Sequence, residues 1–113
     1  MGFLIYGSPG TEIPFDDRVL AHLQIVITSK LRRGESFVFS WITPAEAGSG
    51  RNAIWLDPSS ALFFRYVGSR MPSINRDWMN VLAASSNTPG GLVLTPEPDG
   101  SAPPPPPPPP QLG

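Results

Sequence analysis

Eight consecutive prolines, Pro103–Pro110, set the limit on what this chain can fold into. Proline has a fixed φ and no backbone N–H, so the run enters neither a helix interior nor a central strand. Its preferred form is polyproline II, about 25 Å long for such a run at ~3.1 Å per residue. Residues 99–113 therefore read as a disordered Pro-rich tail, and residues 1–98 as one small domain with one core. The tail is a stiff tether, a dispensable end or a ligand for an aromatic-lined partner; no flanking basic residue orients a docked peptide.

Within 1–98 two periodicities alternate. Gly2–Tyr6 predicts a first strand, Gly7–Gly10 a turn, and Thr11–Phe15 a returning strand that Pro14 confines to an edge or a strand end. Asp16 is a good N-cap and Asp17 suits the positive end of a helix dipole. A helix over about 17–33 follows, with Val19, Leu20, Leu23, Val26, Ile27 and Leu31 on one face. Arg32 and Arg33 suit its negative end, and Gly34 suits the left-handed position beyond it. In Ser36–Ile42, Phe37, Phe39 and Trp41 share one face of a strand, expected under the helices, and the other face is mixed.

Thr43–Gly50 reads as a loop and Arg51–Leu56 as a strand. A turn at Asp57-Pro58-Ser59-Ser60 leads into Ala61–Val67, expected as the third strand of a meander with Leu62, Phe64 and Tyr66 facing the core. Ser73 is placed to cap a second helix over about 74–85, with Ile74, Trp78, Val81 and Leu82 as its stripe. Asn87–Gly91 stops it, and Leu92–Leu94 makes a short last strand. The order β-β-α-β-β-β-α-β predicts an α+β domain with a mainly antiparallel sheet and two helices.

Composition removes several functions. Eight basic and nine acidic side chains give a net charge of −1, so no global field draws the chain to nucleic acid or an anionic membrane. The absence of cysteine removes disulfides, thiol nucleophiles and thiolate metal sites, and a single histidine removes multi-histidine sites. No stretch approaches the ~20 apolar residues of a membrane span. The short apolar opening follows no basic segment, so it is not a signal peptide, and the chain reads as a cytoplasmic protein without a membrane partner.

His22 falls on one flank of the first helix with Arg18, Ser29 and Arg33, at ~100° per residue. That set could hold a phosphate or carboxylate; equally, His22 could be a boundary histidine bonded to backbone or water. Lys30, the only lysine, falls near the middle of the apolar face. It invites Schiff-base or nucleotidyl-transfer chemistry, but in the last turn its stem can cover apolar surface while its ammonium reaches water. The outer helix face (Ala21, Gln24, Ile25, Thr28, Arg32) carries little charge, so a second layer covers it or it forms a homodimer. Gly48-Ser49-Gly50-Arg51 could wrap an anion, but it lacks the P-loop pattern and no cofactor motif is found. Arginines beside aromatics, such as Arg51 near Trp55, allow a stacking contact with single-stranded nucleic acid. No nucleophile–base pair can be named, and no G-x-S-x-G elbow occurs.

The segments Leu4-Ile5-Tyr6-Gly7, Asp16-Asp17-Arg18, Leu20-Ala21-His22-Leu23-Gln24 and Lys30-Leu31-Arg32-Arg33-Gly34-Glu35-Ser36-Phe37 resemble a family of small actinobacterial proteins of unknown function. Ser40-Trp41, Gly48-Ser49-Gly50-Arg51, Ile54-Trp55-Leu56, Pro72-Ser73-Ile74-Asn75-Arg76 and Gly90-Gly91-Leu92 with Pro96-Glu97-Pro98 extend the resemblance over about residues 1–98. Members often carry the label ATP-dependent DNA ligase, which implies at most a ligase-associated role. Such ligases adenylate the lysine of K-x-D-G, and Lys30 is followed by Leu31-Arg32-Arg33. They also need an adenylation domain and an OB-fold, for which the chain is too short.

The leading expectation is a small non-catalytic binding or accessory module. Its contact surface for an anionic ligand is Arg18, His22, Arg32, Arg33, Arg51 and Arg70. The alternative is a nucleic-acid-binding protein associated with a DNA ligase.

Overall fold

The computed structural model describes residues 1–43 and 50–98. The proline tail and the Gly48-Ser49 half of the anion-loop reading lie outside the described residues. Eight elements appear in the expected order: β1 (Gly2–Tyr6), β2 (Thr11–Phe15), α1 (Asp17–Arg32), β3 (Phe37–Ile42), β4 (Arg51–Leu56), β5 (Leu62–Arg65), α2 (Arg76–Ser86) and β6 (Leu92–Val93). They form an α+β domain with two three-stranded sheets, ordered β2-β1-β5 and β4-β3-β6. Every pairing is antiparallel except β3 with β6.

The expected meander does not form. β5 leaves β4 and pairs with β1, placing Leu4 opposite Phe64. The Asp57 turn is closed by its own side chains, with Asp57 Oδ1 accepting from Ser59 N at 2.8 Å. It hands the chain to the other sheet, where Gly7 N donates to Ala61 O at 2.9 Å. Adjacent strands usually pair, but here the edge of β1 left open by β2 is the better partner. Phe64 and Leu62 then face the same core as Leu4. Tyr6 Oη donates to Trp55 O at 2.6 Å and ties the two sheets together at this corner.

α1 starts and stops as its signals predict. Asp16 accepts from Arg18 N at 3.0 Å, and Gly34 takes φ +77° just past the Arg33 cap. Leu20, Leu23, Val26 and Ile27 are buried in one core with Phe15, Phe39 and Leu82. The weakly charged outer face has its second layer within the chain. Ala21 is fully buried, Tyr66 Oη donates to Gln24 at 2.6 Å, and Asp17 accepts from the Val67 and Gly68 amides. Those two amides lower the Asp17 pKa. Within α1 the exposed residues are Ser29 and Arg32. Gln24, Ile25 and Thr28 on that face are half-buried.

α2 begins later than its sequence suggests. Asn75, not Ser73, is the cap, accepting from Asp77 N at 3.0 Å and Trp78 N at 3.2 Å. Ser73 is occupied instead, because its carbonyl and hydroxyl both accept from Arg18 Nη1. Shifting the helix start leaves Ile74 and Val81 outside and buries Trp78, Leu82 and Ser86. The aromatic face of β3 turns inward as expected, with Trp41 stacked on buried Phe39 at 5.0 Å. β6 reaches β3 because Gly91 has no side chain. At φ +77°, its Cβ would lie 2.3 Å from Val38 O.

Candidate functional site

Two features meet where the N-terminus of α1 passes the last described segment. The first is a polar clasp. Arg18 Nε and Nη2 donate to the two carboxylate oxygens of Glu97 at 2.8 and 2.6 Å, a bidentate fork. Asn75 Nδ2 donates to the same carboxylate at 3.0 Å and to Pro98 O at 3.2 Å. His22 lies beneath, fully buried. Its Nε2 accepts from Asn75 N at 2.8 Å, so Nδ1 carries the proton and donates to Arg18 O at 2.7 Å. The ring packs on Trp78 at 4.5 Å, and Trp78 Nε1 donates to Thr95 O at 3.1 Å. Arg18, Asn75 and Trp78 fasten residues 95–98 to the two helices, and His22 joins the helices to each other.

The clasp leaves an acid signature. The Arg18 fork first, and Asn75 second, hold the Glu97 pKa down at about 2, from an ordinary value of 4.5. A carboxyl lowered on folding stabilises the folded chain above its unfolded pKa, and that contribution is lost as pH falls through the folded one. We expect the urea midpoint to fall between pH 4.5 and 2. Glu97→Gln should lower the midpoint at pH 7 and flatten this limb, leaving the part due to Asp17, Glu35 and Asp57, whose pKa values are also lowered. An unchanged acid limb in Glu97→Gln would show that the fork contributes nothing to folding.

The second feature is an apolar trough between the two sheets. β2, an edge strand, forms one wall, and β3 with β4 forms the other. Two hollows of about 420 and 600 Å³ share Asp16, Val19, Ile42 and Leu94, so they are continuous. The smaller ends against Trp78 and Glu97 of the clasp. Phe15 meets Trp41 edge to face at 5.8 Å, and Ile13, Ile54 and Leu94 complete the apolar lining.

Lys30 is not at a water-reaching boundary. It is 5% exposed, and its Nζ donates to Ser86 O at 3.0 Å, Asn87 Oδ1 at 2.9 Å and Glu35 Oε1 at 2.7 Å. Three acceptors satisfy the three donors of an ammonium. Arg33 Nε reaches the other Glu35 oxygen at 2.7 Å, and Lys30 and Arg33 together lower the Glu35 pKa.

Of the six expected anion contacts, Arg18 and His22 meet at the start of α1. They are brought together, but by an internal carboxylate. Arg32 and Arg33 lie at the far end of α1, about 20 Å away at 1.5 Å per residue. Arg51 opens β4, and Arg70 sits exposed in the loop before α2. Glu97, Asn75 and the trough were missed. Glu97 carried a signal, as the lone acid between Asp77 and the tail, with no charge partner near it in sequence. The trough carried none, because it depends on how two sheets face each other. Among the described residues, no three His, Asp or Glu side chains are grouped to hold a metal. No helix there is long and apolar enough to cross a membrane.

No curated protein and no solved structure matches the chain. A family model does match, over residues 1–97, which is the folded domain up to the carboxylate of the clasp; the chain belongs to the family described as Domain of unknown function (DUF7882).

Proposed function

We propose that this domain is a non-catalytic binding module that takes an extended apolar segment of polypeptide in the trough between β2 and β3–β4. The observation that carries this reading is the trough itself, walled by an edge strand and floored by Phe15 and Trp41. Extended peptides bind such surfaces through main-chain bonds to an edge and side-chain pockets beside it. The groups of the first helix best suited to chemistry hold the fold instead: His22, Lys30 and Arg18 each have their polar atoms paired inside the chain. An anionic partner, nucleic acid included, would have to be met by the remaining arginines, Arg32, Arg33, Arg51 and Arg70, all exposed.

The test is a backbone-amide NMR titration of the full-length chain carrying Pro103→Ser through Pro110→Ser, so that its own proline run cannot compete. The probes are an octaproline peptide, an alternating Val–Thr peptide and a single-stranded oligonucleotide, at about 50 and 200 mM salt. A peptide should shift Thr11–Phe15, Trp41 and Asn52–Ile54, with little salt dependence. Oligonucleotide shifts at the four arginines, lost steeply at the higher salt, with no peptide effect, would overturn the reading in favour of a nucleic-acid binder.

A further inference from the structure

We propose that the chain's own proline run, Pro103–Pro110, is the occupant of this trough, docked in cis. The inference rests on the trough being a binding site and names what fills it. Position is the first argument. The described chain passes along the trough at Leu94, lines its smaller hollow through Glu97, and is held at Pro98 by Asn75. Only residues 99–102 separate that anchor from Pro103. Four residues reach at most about 13–14 Å, and Gly100 lies within them to allow a reversal.

Size is the second. β2 runs the length of the larger hollow, and its five residues span about 17 Å at ~3.4 Å each. Eight prolines in polyproline II extend about 25 Å at ~3.1 Å each. The run is long enough to fill the trough from end to end.

Chemistry is the third. Proline brings apolar rings and carbonyls but no N–H. It therefore needs aromatic faces, and gains nothing from acceptors. Trp41, half-buried against the buried Phe15, supplies the aromatic face at the trough. Proline's fixed φ leaves such a run few conformations to lose, so docking sacrifices little chain entropy. The short link also raises the local concentration of the run to the order of millimolar. A contact too weak to hold a free peptide is then populated in cis. The clasp gains a purpose in this arrangement, since it fixes the point from which the tail departs.

The chain has no cysteine, so Gly113→Cys takes a single nitroxide label in the full-length protein. Docking in cis predicts selective broadening of amides in Thr11–Phe15 and Asn52–Ile54. Arg33, Glu35 and Asn87, at the other end of α1, should keep their intensity. Replacing Pro103–Pro110 by serine in the labelled chain should abolish the selectivity without touching the folded domain. Free octaproline should also require a concentration about tenfold higher to shift the native chain than the serine-run chain. Absent or unselective broadening overturns the inference. So does broadening that appears equally when the nitroxide chain is mixed with an unlabelled one, which would place the tail in a second copy. If the native tail does not dock but octaproline still shifts the serine-run chain at the trough, the binding module stands and only its cis occupant falls. If neither happens, both readings fall.

Discussion

His22→Ala should cost the domain about 3–4 kcal/mol of stability, measured as a drop in urea midpoint at unchanged slope. Three losses combine. The fully buried ring leaves a cavity against Trp78. Asn75 N–H loses its acceptor at the cap of α2, and the Arg18 carbonyl loses one of its donors. An orphaned buried N–H alone costs about 1–3 kcal/mol. His22→Leu separates the terms, because it fills much of the space and leaves the amide unpaired. Its loss should be about half that of the alanine variant. A loss under about 1 kcal/mol in His22→Ala would mean that Asn75 N–H is rescued by water, and that the imidazole is not needed to join the two helices.

The elements were legible where the signal is local. α1 carries its cap, its stripe and its left-handed glycine within one stretch, and the structure follows them to within a residue. The face of β3 that turns inward was equally plain, since alternation at period two leaves no other choice for Phe37 and Phe39. Legibility failed where a long-range partner competes. Ser73 is a good cap by type, yet Arg18, fifty-five positions away, takes both of its oxygens and Asn75 inherits the role. β5 has the right alternation for a meander, but its partner is chosen by the open edge of β1. The candidate site failed for a related reason. Helix-wheel reasoning put Arg18 beside His22 correctly, but it could not see that Glu97 returns across 79 positions to neutralise the arginine. A carboxylate from the chain and a phosphate from a ligand look the same to a guanidinium.

Lys30→Met should cost about 2–3 kcal/mol, and Lys30→Ala about 4 kcal/mol. Methionine keeps most of the stem over Phe37, above whose ring the ammonium lies at 5.6 Å, and removes the charge with its three donors. Ser86 O and Asn87 Oδ1 then lose their donor at the C-terminus of α2. Glu35 loses one of its two cations but keeps Arg33 at 2.7 Å and is 39% exposed. That residual pairing and hydration is why the loss falls below the ~3–5 kcal/mol typical of breaking a fully buried ion pair. Alanine adds the cavity of the lost stem. Glu35→Gln alone should be milder, and the cycle with Lys30→Met should show the two losses to be non-additive, since both charges share one cage. These values bear on function as much as on folding. A lysine that acts as a nucleophile must give up its proton and approach a substrate; this ammonium donates three bonds to chain acceptors inside the fold. A Lys30→Met chain as stable as the original would break that argument. The cage would then not need the charge, and the only lysine of the chain would again be available for chemistry.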